Sequence, residues 1–389
     1  MNKNILWLAS WYPNALTPYD GDFIQRHASA VSNFREITVI HIKKDEEGII
    51  TKDVKIVSSS KKNLHEIIVF YYAGKTKLRF FNRLVSSIKY KKIYTQVLKK
   101  YIKENGKPAL VHVHVALKAG LLGLYLKKKM NIPFIVTEHW SGYFKEAKVN
   151  IYNSGFLVRN YTKKVLSNAS LLLPVTQKMG EVINKTLAKI PYEVVPNVVD
   201  TTVFYYEPIT NKKFRFIHAS SLNHYKNPEG IIRAVKNLAN EGLDFEFLFI
   251  GWVTHGLIAL ANELSLTGKF IFFRDPVSYE EVAGEMQQAS SLVLFSRIES
   301  LPCVLLEALC CGLPVISSDV GGISKVINKT NGLLVESENE PQLTDAMKKM
   351  ILNFDLYDRP GIAKKAREAF NYDTVGKQIT CIYSKEFEK

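Results

Sequence analysis

Apolar residues in this chain fall into short runs of strand length, and amphipathic stretches of helix length separate them. In the first half the runs cover 5–10, 37–42, 67–72, 110–116, 134–139 and 171–176. In the second half they cover 214–220, 245–251, 270–273, 291–296, 314–318 and 332–335. Helical patterns lie between them at 23–33, 83–105, 227–240, 280–289 and 304–311. Strands alternating with helices predict parallel βαβ units. The runs are near-continuous in Val, Ile, Leu and Phe rather than alternating, which predicts sheets covered on both faces. Two sets of six strands therefore predict an α/β protein of two doubly wound domains with a crevice between them. The boundary is predicted at 194–204, where a strand runs into a Pro-Asn turn.

Composition agrees and adds an asymmetry. With 389 residues, 47% hydrophobic and 23% charged, the chain is neither disordered, fibrous nor a disulfide scaffold. Its four cysteines, Cys303, Cys310, Cys311 and Cys381, form no CxxC pair, and Cys310 and Cys311 sit in an apolar run, so buried thiols in a reducing compartment are expected. The N-terminal apolar run is too short for a secretory segment, and no stretch approaches 18 uninterrupted apolar residues, so a cytoplasmic protein is expected. The net charge of +15 divides into +19 over residues 1–199 and −4 over 200–389. Such a split points to two domains with different partners, one of them anionic.

The chemistry is most legible in 291–322, which reads as strand, loop, helix, glycine stop, strand and Gly-Gly turn. Pro302 is predicted in the first helical turn, where its missing N–H costs nothing, and Gly312 is predicted to end the helix just before Pro314. The loop then presents backbone N–H groups at a helix N-terminus, which suits a phosphate. Glu299 lies in that loop and Glu307 about a turn into the helix. Ionised carboxylates only accept hydrogen bonds, as binding of sugar hydroxyls requires. The bland reading makes both glutamates solvated surface residues. For Glu307 it conflicts with the apolar neighbours Val304, Leu305, Leu306, Ala308 and Leu309.

These residues resemble a family. Glu-x7-Glu within Glu299-Ser-Leu-Pro-Cys-Val-Leu-Leu-Glu307 is similar to the donor-binding signature of retaining glycosyltransferase family 4, of GT-B fold. Asp20-Gly-Asp-Phe-Ile-Gln-Arg-His27 resembles its glycine-containing first loop, and Val195-Pro-Asn-Val-Val-Asp-Thr-Thr-Val-Phe204 its interdomain segment. Phe216–Asn227 resembles its lysine-bearing loop, and Phe370–Tyr383 the helix that crosses back to the first domain. The resemblance implies an acceptor-binding Rossmann-like domain at 1–196, a nucleotide-sugar domain at 197–370 and a returning helix at 371–389. It implies that Glu307 holds the ribose hydroxyls and Glu299 the transferred sugar. Ser300, Leu301, Pro302 and Cys303 would meet the diphosphate or sugar through their N–H groups, and Lys226 would neutralise the departing diphosphate. Gly21 and Asp22 belong to the loop near donor and acceptor. His139 matches the first-domain histidine near the reacting carbon, and the neighbouring Glu138 is the weaker candidate.

One departure stands out. The family carries Arg five residues before the lysine, and here that position is Ser221, leaving His224 or Arg26 as substitutes. Asp20-Gly-Asp22 spells the DxD of metal-dependent transferases but falls in the first loop, so neither a metal nor another cofactor is expected. The expected reaction is transfer of a hexosyl group from a nucleotide-sugar, a UDP-sugar, to a saccharide or lipid-linked acceptor with retention, in cell-surface polysaccharide synthesis. The other readings are a GT-B sugar-nucleotide epimerase and a non-catalytic binder of polyanions or nucleotide-sugars.

The excess positive charge concentrates between Lys61 and Lys103, with 12 Lys and Arg against Glu66 alone. In a helix lying on a membrane, Phe80, Phe81, Leu84, Val85 and Ile88 would enter the interface while the basic residues meet anionic headgroups. A peripheral protein on the inner face of the cytoplasmic membrane is expected. The competing readings are an apolar face that covers the sheet, and nucleic acid, for which no binding motif is present.

Overall fold

The structure is a computed structural model and describes residues 4–74, 79–210 and 213–388, with the backbone alone for 79–84. The chain divides into two units. The first comprises the residues up to Tyr143, Val149–Pro196 and the segment from Val375 onward; the second comprises Phe144–Lys148 and Asn197–Thr374.

The first unit is a seven-stranded sheet in the order β3-β4-β2-β1-β5-β6-β7. Its strands are β1 (Ile5–Ala9), β2 (Ile37–Lys44), β3 (Val54–Lys61), β4 (Leu64–Tyr71), β5 (Leu110–His114), β6 (Phe134–Glu138) and β7 (Leu172–Pro174). All neighbours run parallel except β3 on β4. The connecting helices are α1 (Asp22–Ser32), α2 (Arg79–Asn105), α3 (Gly120–Met130), α4 (Phe156–Leu166) and α5 (Gln177–Thr186). β1, β5 and β6 are buried along their whole length, as continuous apolar runs in a doubly covered sheet should be.

Six strands are predicted here and seven form. The extra one, β3, reads Val-Lys-Ile-Val-Ser-Ser-Ser-Lys and is exposed throughout. It is an antiparallel edge strand held by backbone pairing to β4, so it leaves no apolar pattern in the sequence.

The second unit is a parallel six-stranded sheet in the order β10-β9-β8-β11-β12-β13. These strands are β8 (Phe214–Ala219), β9 (Phe245–Ile250), β10 (Ile271–Arg274), β11 (Ser291–Leu294), β12 (Val315–Ser318) and β13 (Gly332–Val335). Its helices are α6 (Pro228–Asn240), α7 (His255–Glu263), α8 (Tyr279–Gln287), α9 (Cys303–Cys310), α10 (Glu340–Leu352) and α11 (Arg359–Phe370). Phe216, Phe245, Phe247 and Phe249 are fully buried at its centre. Each contributes about 1.5–3 kcal/mol of burial.

A last helix, α12 (Tyr372–Phe387), carries the chain back into the first unit. There Gln378 Nε2 donates to the Val194 carbonyl at 2.8 Å. Gly376 lies so close to α1 that a Cβ would stand 2.4 Å from the Ala30 carbonyl oxygen. Tyr383 is fully buried, with its hydroxyl 2.6 Å from His112 Nδ1, and His112 Nε2 is 2.6 Å from the Thr137 hydroxyl on β6. The returning helix is thus tied through one imidazole to the strand that leads into His139.

Among the described residues no helix is long and apolar enough to cross a membrane. Cys310 and Cys311 are buried free thiols, and burial pushes the Cys310 thiol up to about 12.

Candidate functional site

In each unit the predicted residues collect at the carboxyl-terminal edge of the sheet, where open α/β folds bind ligands.

In the second unit, β8 leads through Ser220–Asn223 into a 3-10 turn, His224–Lys226. Asn223 caps this turn at the Tyr225 N–H. Asn227 then adopts a left-handed conformation (φ 50°) and caps α6 at the Gly230 N–H, with Pro228 opening the helix. The result aims Lys226 at the loop after β11, where its Nζ lies 2.5 Å from Glu299 Oε1. Ser296 Oγ donates to the same oxygen at 2.7 Å. Glu299 is 8% exposed, so the solvated-loop reading fails for it.

The loop around Glu299 is braced from several directions. Gly321 has φ +62°, and a Cβ there would stand 2.1 Å from the Glu299 carbonyl oxygen, which explains a glycine in the turn after β12. Gly322 N–H donates to the Ser300 carbonyl at 3.3 Å. Asn197 Nδ2 donates to the Leu301 carbonyl at 2.6 Å, so the Pro-Asn segment after β7 fixes the loop directly. Arg297 ties loop and turn together: its N–H donates to the Tyr225 carbonyl at 2.8 Å and its Nη1 to the His224 carbonyl at 2.5 Å. Asn197, Ser296 and Arg297 are positioning residues that pattern reading missed: Asn197 and Arg297 act through partners distant in sequence, and Ser296 through a local side-chain contact that leaves no hydrophobic pattern.

Pro302 stands at the N-cap of α9 in extended conformation, one residue before the first-turn place the pattern predicts. No side chain caps α9, and the Leu301–Cys303 backbone leads into its N-terminus. Ser300 Oγ is buried and has no partner among the described residues. Glu307 is 4% exposed in the middle of α9, which excludes the surface-helix reading for it too. At Gly312 the chain turns with φ +75°, ending the helix as predicted. Of the substitutes for the absent arginine, Arg26 belongs to the first unit and is held by Asp22 at 3.2 Å. His224 is exposed on the turn itself.

In the first unit, His139 follows β6 and is 8% exposed. Phe23 and His27 of α1 lie 4.5 and 5.3 Å from it between ring centroids, and His114, the last residue of β5, lies 6.1 Å away. This places His139 beside the loop that carries Gly21 and Asp22. Gly21 has φ 72°, and a Cβ would stand 2.6 Å from the Trp11 carbonyl carbon. The Asp20-Gly-Asp22 carboxylates are directed to cations, Asp20 to Lys43 at 3.0 Å and Asp22 to Arg26. Glu138 is fully buried, and its Oε1 accepts from Tyr143 Oη and the Ala116 N–H, each at 2.7 Å. The residue before Ala116, Val115, holds φ 66°, a strained value for a β-branched residue. Glu138 thus anchors the strained loop after β5.

With this geometry in hand, residues 204–367 match the family model described as Glycosyl transferases group 1, and residues 53–203 match Glycosyltransferase Family 4. A Bacillus subtilis protein named as a teichuronic acid biosynthesis glycosyltransferase is 24% identical over 366 residues, 88% of each chain. Sucrose-phosphate synthase from Thermosynechococcus elongatus superposes with a TM-score of 0.78 over 99% of each chain at 16% identity. The Anabaena protein HepE, solved in complex with UDP, gives 0.73 at 15% identity over 98% of this chain and 100% of its own. The two family matches run through both units, and the protein is a glycosyltransferase of GT-B type, similar to family 4.

Burial raises the Glu138 carboxyl to about 7 from an ordinary 4.5, against the lowering effect of its hydrogen bonds. A raised carboxyl favours the folded state when protonated. Its contribution is therefore complete below pH 4.5 and is lost as pH rises through 7. Glu138→Gln should remove a loss of roughly 3 kcal/mol over that window. Urea unfolding of both proteins at pH 4.5 and 7.5 measures it; parallel profiles would refute the assignment.

Proposed function

We propose that the protein transfers a hexosyl group from a UDP-sugar to a saccharide or lipid-linked acceptor with retention of configuration, in the synthesis of a cell-surface polysaccharide. The observation that carries this reading is the second unit's cluster: Lys226 on buried Glu299, beside an uncapped helix N-terminus and the buried Glu307. UDP as the nucleotide draws on the HepE complex. The polysaccharide role draws on the Bacillus subtilis relative.

In this reading Glu307 accepts hydrogen bonds from the ribose hydroxyls and Glu299 from a hydroxyl of the transferred sugar. Lys226 and the first-turn N–H groups of α9 hold the diphosphate. As the bond from the anomeric carbon to the diphosphate oxygen breaks, negative charge grows on the phosphate, and these fixed positive groups stabilise it without a metal ion. The acceptor hydroxyl bonds to the same face of that carbon, and its proton passes to the departing phosphate oxygen. His139, with Gly21 and Asp22 nearby, belongs to the acceptor-binding unit and orients the reacting sugar. Atoms and charge balance with no protein nucleophile.

Attachment to an anionic membrane surface belongs to the same proposal. α2 divides along its length. Ile93, Tyr94, Val97, Leu98 and Tyr101 are buried, as the sheet-covering reading requires, whereas Val85 and Ile88 are 43% and 60% exposed beside Lys89, Lys91 and Lys92. The side chains of Phe80, Phe81 and Leu84 lie outside the described residues.

Calorimetric titration tests the donor assignment. Glu307→Ala should weaken UDP binding tenfold or more, and unchanged affinity would refute its role. His139→Ala should keep UDP affinity and lose at least tenfold in kcat; full turnover would remove it from the reaction. For the membrane, the protein should sediment with phosphatidylglycerol vesicles at low salt but not with phosphatidylcholine vesicles, and Ile88→Ser should weaken sedimentation. Tight oligonucleotide binding without sedimentation would overturn this part.

A further inference from the structure

A single buried imidazole reaches both halves of the junction between Lys226 and Glu299. Along the parallel strands β8 and β11, Phe216 pairs with Ser291 and Ile217 with Leu292. One residue further on, His218 reaches across with its side chain: Nδ1 lies 2.8 Å from the carbonyl of Val293 on β11, the strand that leads into the Glu299 loop. On its other side Nε2 lies 2.7 Å from Ser220 Oγ, which accepts the Leu222 N–H at 3.0 Å. A carbonyl only accepts, so Nδ1 carries the hydrogen. Burial, with the charge of Lys226 adding to it, lowers the imidazole to about 4, so at neutral pH Nε2 keeps a lone pair for the Ser220 hydroxyl. The three bonds therefore run one way, from the Leu222 N–H through Ser220 and His218 to β11.

The residue where this chain begins is strained. Leu222 is buried and holds φ 50°, a left-handed value that a residue with a Cβ adopts only when its surroundings enforce it. Those surroundings are close: the Ser220 N–H donates to the Ile250 carbonyl at 3.0 Å, and a Cβ on Gly251 would stand 1.8 Å from the Ser220 carbonyl oxygen. Beyond Leu222 the turn is stiff. The Asn223 side chain accepts the Tyr225 N–H at 2.9 Å, and the Asn223 carbonyl accepts the Lys226 N–H at 2.9 Å. The backbone angle at Leu222 thus sets the direction in which Lys226 is carried.

The bland account is a histidine that merely fills the core. His218 is fully buried among Phe216, Phe247 and Phe249, with its ring 5.8 Å from that of Phe249. An apolar side chain would fill such a place without the cost of desolvating an imidazole. It could not hold the Ser220 hydroxyl and the Val293 carbonyl at once.

We propose that His218 is a positioning residue for diphosphate binding: donating to β11 and accepting from Ser220, it locks Leu222 and so holds Lys226 where a diphosphate meets it. The inference rests on Lys226 being a ligand of the donor's diphosphate. Ser221 brings no charge to the turn, so binding there depends on where Lys226 stands.

The test combines calorimetry of UDP with hydrogen–deuterium exchange of segment 219–227, on the full chain. His218→Leu fills the space and removes both bonds. Ser220→Ala breaks the chain at its middle with a smaller change and serves if His218→Leu does not fold. Each should speed exchange in the segment tenfold or more and weaken UDP binding at least fivefold. His218→Gln, which carries an amide oxygen to the Nε2 position, should recover most of both losses. In a Lys226→Met background His218→Leu should cost less than a further twofold, because the histidine acts through the lysine. Unchanged exchange or unchanged UDP affinity in the first two variants overturns the proposal. So does a His218→Gln no better than His218→Leu, or a full additional loss on top of Lys226→Met. Faster exchange in the variants beside wild-type UDP affinity in Lys226→Met would support the hold of His218 on the turn and overturn the donor assignment of Lys226 instead.

Discussion

The ion pair between Lys226 and Glu299 is the constraint on which the candidate site of the second unit depends. A carboxylate as shielded as Glu299 is unfavourable in isolation, and removing one partner of such a pair typically costs 3–5 kcal/mol. The pair therefore fixes the 3-10 turn and the loop after β11 relative to one another. Other features of the second unit serve that junction: the left-handed Asn227, the glycine turn at Gly321, Asn197 on the Leu301 carbonyl and Arg297 on the turn's carbonyls. The pair also holds the Lys226 ammonium at the strand ends of the second unit. In the proposed function a diphosphate would compete for Lys226 more strongly than one carboxylate does, and a sugar hydroxyl would then satisfy the released Glu299.

The first unit is organised around groups kept neutral by burial. His27, His41, His112 and His114 all have lowered proton affinity, with desolvation the leading cause, and Glu138 has it raised. Trp7 stacks on His114 at 4.0 Å and packs edge-on to His112 at 4.8 Å, so these rings form one aromatic layer beneath the strand ends.

Much of this was legible in the sequence because the segment that carries Glu299 and Glu307 is contiguous. Strand, loop, helix and glycine stop follow one another within 291–312, and each is written in local chemistry. The continuous apolar runs likewise announced every strand whose faces are covered. β3 escaped because an exposed, serine-rich edge strand has no hydrophobic period. Pro302 came out one residue from its expected place, since a proline suits the cap and the first turn alike. What no pattern could reveal were the meetings of distant segments: His139 with Phe23, Lys226 with Glu299, Asn197 with Leu301. The basic stretch around α2 was visible as charge, yet only the fold shows that its later apolar residues are buried while Val85 and Ile88 remain exposed.

The central claim is that Lys226 and Glu299 are resting partners with separate duties once a nucleotide-sugar binds. Calorimetry of UDP and UDP-glucose on Lys226→Met and Glu299→Gln tests this most directly. The account predicts that Lys226→Met loses tenfold or more in affinity for both ligands. It predicts that Glu299→Gln binds UDP at least as well as the wild type and loses the additional affinity for the sugar. Wild-type UDP affinity in Lys226→Met would contradict it.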